Sequence, residues 1–230
     1  MYPAMFDPMY IMMIIPALLL ALYAQVKVKS TFERYGAVRS AKGITAEAVS
    51  RRLLDSFGLG NVAIERVSGN FTDHYDPRSR KLRLSDSVGS SSSIAAVGVA
   101  AHEVGHAIQD KEGYAPLKFR NSLVPVTNFA SSAAMPFFFL GILAGLAPLV
   151  KLGIVLFSCA VVFQLVTLPV EFDASDRALK LLSGTGILSQ SEIRGAKSVL
   201  SAAALTYVAA TLMAVMQLAY LVLRSRGRRN

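Results

Sequence analysis

Two histidines four residues apart, His102 and His106, with Glu103 between them, are the side chains in this sequence best spaced to do chemistry. On an α-helix, positions four apart lie about 40° from alignment and roughly one turn along the axis. The two imidazoles then project side by side and can grip one metal ion. Glu103 falls on the flank of the same face, placed to touch a water held at that ion. This H-E-x-x-H pattern suits hydrolysis in which the carboxylate serves as general base. The ordinary alternative is a chance pairing of two of only three histidines, and the helical context argues against it. Ser90 to Ser93 can cap a helix, and Ile94 to Ala101 lead into the motif with small apolar residues that allow close packing around a buried site.

Two histidines and a water leave one protein ligand missing, because a catalytic zinc usually has three. His74 is the only other histidine, so the remaining candidates are mostly carboxylates. Glu171 stands out, at the end of an apolar run in Leu168-Pro169-Val170-Glu171-Phe172-Asp173-Ala174-Ser175. Pro169 suits the start of a fresh helix, with Glu171 in its first turn and Ser175 on the same side four residues later. The competing reading of Glu171 is a carboxylate at a membrane interface.

The elements that must position these residues follow from composition. The 230 residues are 53% hydrophobic and only 17% charged, with a mean hydropathy of +0.45, too apolar for an ordinary soluble domain. Four runs are long enough to cross a bilayer, which takes about 20 apolar residues. They are Met9 to Val26, a stretch within Leu123 to Val150, Leu152 to Val170, and Ala202 to Leu223. The first has no basic segment before it and reads as an uncleaved anchor. Pro148, Lys151 and Gly153 are the expected turn between the second and third, and Arg224, Arg226, Arg228 and Arg229 close the fourth. Two crossings separate His106 from Glu171, so the chain returns to the side it left and the carboxylate can reach the metal. The lone Cys159 lies in an apolar run, which excludes an intrachain disulfide and reads as a buried small hydrophobe.

The stretch from Lys27 to Arg120 differs in character and holds 15 of the 24 lysines and arginines. Thr45 to Gly58 has a capping threonine, apolar residues at helical spacing and a glycine stop. Asn61 to Val67, Phe71 to Tyr75 and Lys81 to Leu84 alternate like strands, with Asp76-Pro77-Arg78-Ser79 as the turn between the last two. The expected fold is an α-helical membrane protein of about four transmembrane helices with a zincin-like α+β catalytic region carrying a small antiparallel sheet. The expected organisation is an anchor helix over 1–26, the catalytic region with the H-E-x-x-H helix over 27–120, and a transmembrane hairpin over 121–170. A helix with the third ligand then covers 171–201, and a last crossing with a basic tail covers 202–230.

Four runs together resemble the YugP-type neutral zinc metallopeptidases, bacterial membrane proteins. They are Thr72-Asp73-His74-Tyr75-Asp76-Pro77, Ala100-Ala101-His102-Glu103-Val104-Gly105-His106-Ala107-Ile108-Gln109, Leu168 to Ser175, and Ala203-Ala204-Leu205-Thr206-Tyr207-Val208-Ala209. The resemblance covers nearly the whole chain and implies a zinc-dependent peptidase of the bacterial inner membrane, with one zinc ion. A more distant likeness is to HtpX-type gluzincins, which follow H-E-x-x-H with a downstream glutamate ligand. An aspartate four residues beyond that glutamate commonly orients a ligand histidine there. Ser175 stands at that position here, while Asp173 and Asp176 fall elsewhere on the wheel, and Ser175 fits the YugP pattern.

With zinc held by His102, His106 and Glu171, a bound water's pKa would fall from near 16 to about 7. Glu103 would take its proton during attack on a scissile carbonyl and pass it to the leaving amine. A further donor should steady the oxyanion, and Tyr207 and His74 are the two candidates. Each has a plainer reading, a tyrosine hydroxyl at the membrane surface and a turn-stabilising histidine. The Lys81 to Ser85 strand is the expected edge for pairing with a substrate peptide. The expected partners are a peptide or protein substrate and the lipid bilayer, with no nucleic acid and no signal for oligomeric state. Lys27, Lys29, Arg34, Arg39 and Lys42 beside the first crossing put the catalytic region in the cytoplasm. Four full crossings then put the arginine tail outside, against the same rule, unless the first helix dominates or the last run is not a simple span. Two other functions fit the motif: a non-catalytic metal-binding scaffold, and a metal transporter. Retention of Glu103 disfavours the first, and the motif's place in the polar region disfavours the second.

Overall fold

A computed structural model describes residues 7–226. Residues 1–6 of the anchor and the tail arginines Arg228 and Arg229 lie outside the described residues, as does the side chain of Arg226. The chain divides into two compact units. One contains Met1–Ala24, Lys118–Pro169 and Thr206–Asn230, and the other Gln25–Leu117 and Val170–Leu205.

The first unit is helical. It contains parts of α1 (Pro8–Gly36), α5 (Ala115–Leu143), α6 (Ala147–Gly184) and α7 (Gln190–Arg226). These are the four helices, among the described residues, long and apolar enough to cross a membrane. The turn between α5 and α6 lies at Ala144–Leu146, where Gly145 takes φ +69°, and not at Pro148, Lys151 and Gly153. Pro148 is instead the second residue of α6, where its missing N–H costs nothing. Gly153 does not break the helix but lets it pack: a Cβ there would lie 2.7 Å from Phe138 N and 2.8 Å from Ala134 O on α5. At the other end of this unit, Asp7 caps α1 by accepting from Met9 N at 3.0 Å. Its other oxygen accepts from Tyr220 and Arg224 of α7, each at 3.2 Å. The start of α1 and the end of α7 therefore lie side by side.

The second unit is built around α4 (Ile94–Glu112). Ser93 caps it by accepting from Ala96 N at 3.2 Å, and Gly113 ends it in the left-handed region at φ +68°. Its small apolar residues are buried on nearly all sides, packed with Leu53 and Leu54 of α2 (Ala46–Ser56) and with Ala178 and Leu182 of α6. Thr45 caps α2 through Ala48 N at 3.3 Å, and Gly58, at φ +61°, follows its end.

The sheet contains β1 (Ala63–Val67), β2 (His74–Asp76) and β3 (Lys81–Ser85), and the short helix α3 (Asp86–Gly89) leads from it toward α4. Its order is β1-β3-β2, with β1 parallel and β2 antiparallel to β3, so it is mixed and not purely antiparallel. Leu82 and Leu84 of β3 are fully buried, and both edges of that strand are paired. Lys81 to Ser85 therefore has no free edge for a peptide; β1 and β2 are the edge strands. The strand expected from Phe71 begins only at His74, because Phe71 sits at φ +58° and Asp73 turns inward to accept from Ser85 N at 2.7 Å. The turn at Asp76 is held by that carboxylate, which accepts from Arg78 N at 3.0 Å and from Ser79 Oγ at 2.6 Å. These bonds, with Arg83 nearby, keep its pKa down at about 2.

The expected fresh helix at Pro169 is not there either. α6 runs unbroken from Ala147 to Gly184 with Pro169 inside it, so Glu171 lies in mid-helix. Proline is tolerated within membrane helices where neighbours meet the freed carbonyl.

Candidate metal centre

His102 and His106 on α4 face Glu171 on α6, all within the second unit. Glu171 Oε2 is 3.3 Å from His102 Nε2 and 3.6 Å from His106 Nε2, and the two rings meet edge to face with centroids 4.7 Å apart. Ligands of a tetrahedral zinc at 2.0–2.1 Å stand about 3.3 Å apart, so these two separations are of the right size. Two imidazole nitrogens and a carboxylate oxygen are also the right donor set. Glu171 is only 4% exposed, and a buried carboxylate beside two imidazole nitrogens is best compensated by a cation. The residues fit zinc.

Each ring is gripped from behind. Ser175, four residues beyond Glu171 on α6, lies with its Oγ 3.1 Å from His102 Nδ1. The pair at i and i+4 therefore brackets both nitrogens of one imidazole. His106 Nδ1 is 3.0 Å from Gln109 Oε1, on the next turn of α4. Orienting bonds of this kind fix which nitrogen faces a metal. What brings the two helices close enough is Gly105: a Cβ there would stand 2.6 Å from the carbonyl oxygen of Ala174 on α6.

Glu103 lies beside the triangle and is 8% exposed. Its Oε2 accepts from the backbone N–H of Tyr75 on edge strand β2 at 3.0 Å. Burial pushes its pKa up to about 7, helped by the carboxylates of Glu171 and Asp73 and opposed by His102. Asp73 is itself raised by burial against its bonds to Ser85. One turn beyond Glu103, a cleft of about 300 Å³ opens between α4 and β2, lined in part by Tyr75, Arg80, Ala107 and Asp110. The Tyr75 hydroxyl donates to Asp110 at 2.9 Å there.

His74 uses both ring nitrogens locally. Its Nδ1 is 2.8 Å from Thr72 O, and its Nε2 is 3.3 Å from Arg83 on β3. Tyr207 lies on α7, in the first unit, with its backbone carbonyl accepting from Thr211. Residue type and spacing alone do not mark Gly105, Tyr75 and Asp73 as neighbours of this cluster. Gln109 carried a signal, since it follows His106 by three on the same helix.

A helical membrane protein with a His-His-Glu cluster of metal-ligand type is thus the class that fold and site define. Residues 10–226 match the model of the family described as "Putative neutral zinc metallopeptidase", and the chain belongs to that family. Among curated proteins it is similar to "Putative membrane protease YugP" of Bacillus subtilis (strain 168). The two are 50% identical over 210 residues, which cover 91% of this chain and 93% of that protein. No solved structure matches.

Proposed function

We propose that this protein is a membrane-embedded, gluzincin-like zinc metalloendopeptidase that hydrolyses peptide bonds. The observation that carries the reading is the triangle of His102, His106 and Glu171, flanked by a buried Glu103. In this reading, residues 27–120 with 171–201 form the zincin-like catalytic part, and 1–26, 121–170 and 202–230 hold it in the bilayer. When bound, zinc supplies Lewis acidity, lowering the pKa of a water and polarising the scissile carbonyl.

Everything else is done by the chain. His102 and His106 turn Nε2 toward Glu171, with Ser175 and Gln109 at their Nδ1 atoms. Glu103 takes the proton of the attacking water on its carboxylate and delivers it to the leaving amine. The Tyr75 N–H holds that carboxylate in position. The substrate is a peptide or protein, with room for one of its side chains in the cleft beside Tyr75 and Asp110. Chelation should abolish cleavage of a casein-type substrate by purified protein, and zinc should restore it. Cleavage that persists in chelator would contradict the reading.

We place the catalytic part on the cytoplasmic side of the bacterial cell membrane. Lys27, Lys29 and Arg34 follow the apolar part of α1, and Lys118 and Arg120 open α5. The pairing of Asp7 with Arg224 supports four full crossings, so the first helix dominates over the arginines of the tail. In a variant lacking Cys159, a cysteine replacing Arg78 should resist a membrane-impermeant maleimide in intact cells, while one replacing Gly145 should react. The reverse pattern would put the site outside.

A further inference from the structure

Gln109 is fully buried, and its amide can face only one way. Its Nε2 donates to the Val170 carbonyl at 2.9 Å and to Asp173 Oδ2 at 2.7 Å. A carbonyl and a carboxylate only accept, so the NH₂ must point at them and Oε1 must point at His106 Nδ1. An amide oxygen also only accepts. His106 therefore carries a proton on Nδ1, which leaves Nε2, turned toward Glu171, as its nitrogen available to a metal. The lock extends outward: Arg177 donates to the same Asp173 oxygen at 2.5 Å and to Glu112 at 2.6 Å. His102 has no such lock. Its partner Ser175 is a hydroxyl, able to donate or accept, and so dictates no tautomer.

We propose that Gln109 is the positioning residue of the metal centre, fixing the tautomer and ring direction of His106 through an amide that Val170 and Asp173 hold in one orientation. The inference rests on the zinc reading above. It makes the two imidazoles unequal, with His106 preset for metal and His102 adjusting through Ser175.

The test uses the full-length protein in detergent. Zinc affinity is read by competition with a chromophoric chelator. The His106 Nδ1 proton is read in the ¹H–¹⁵N spectrum of zinc-loaded, histidine-labelled protein, which has only three histidines to resolve. Gln109→Met should weaken zinc binding roughly 10–100-fold, the usual cost of losing such a partner, and should expose that proton to exchange with water. Ser175→Ala should leave the His106 proton protected. Because Gln109→Met also strips donors from Val170 and Asp173, Arg177→Met serves as the second variant: it strips a donor from the same Asp173 oxygen and leaves the Gln109 contacts with His106 and Val170 in place. It should bind zinc within about tenfold of wild type and keep the His106 proton protected.

Wild-type protein that takes up no zinc overturns this inference and the proposed function together. Gln109→Met protein with wild-type affinity and a protected His106 proton overturns the positioning role alone. So does a folded Arg177→Met protein that loses as much zinc affinity as Gln109→Met.

Discussion

Glu103→Gln protein should carry as much zinc as wild type and cleave peptide roughly 10²–10⁴-fold more slowly, the usual contribution of a general base. The substitution preserves size, and the new amide oxygen can still accept from Tyr75 N, so the strand contact at 3.0 Å survives. What is lost is the ability to hold a proton in transit. The buried carboxylate of Glu103 can accept that proton and give it up again. The neutral amide has no such capacity. Zinc analysis and cleavage rate must be measured on the same preparation. Equal zinc with equal cleavage would remove Glu103 from the mechanism, and equal zinc with no cleavage by either protein would favour a non-catalytic metal-binding scaffold.

The second large effect is expected from a residue that touches no metal. Gly105→Ala places a methyl 2.6 Å from the Ala174 carbonyl oxygen, whereas ordinary contact begins at 3.4 Å. The obstacle is backbone, not the end of a flexible side chain, so α4 and α6 must part by most of that difference. Overpacking of this kind costs about 1–3 kcal/mol in stability. The larger consequence is geometric, because the parted helices carry opposite sides of the ligand triangle. Ligand cages tolerate about 0.5 Å of error, and a misplacement of about 1 Å costs on the order of a hundredfold in rate. Gly105→Ala should therefore lose zinc affinity as well as thermal stability. Chelator competition on folded variant protein reads the first, and undiminished affinity would mean that α6 does not supply a ligand.

Much of this was legible in the residues, for identifiable reasons. The H-E-x-x-H spacing is local, and the 3.6-residue period alone puts His102 and His106 side by side. Ser93, Thr45 and Gly58 are punctuation that acts over one turn, and each sits where a helix begins or has just ended. The apolar runs declared four helices because bilayer thickness sets their length. What escaped depends on partners far away in the chain. β3 reads as a plain alternating strand, and nothing within Lys81–Ser85 says that β1 lies parallel on its other side. Pro169 carries a strong local stop signal that the continuous α6 overrides. Gly153 has the composition of a turn and serves as a contact surface, a distinction visible only once Phe138 is beside it. Gln109 shows the same limit: its place one turn after His106 is in the sequence, but the direction of its amide is set by Val170 and Asp173 across 61 and 64 residues of chain.

The coordination sphere can be tested directly by anomalous diffraction at the zinc edge from crystals of zinc-loaded, full-length protein. One peak should stand within bonding distance of His102 Nε2, His106 Nε2 and a Glu171 carboxylate oxygen, at about 2.0–2.2 Å from each. A peak bound to the two imidazoles with Glu171 remote from it, or a peak elsewhere in the molecule, would contradict the metal centre from which the proposed chemistry follows.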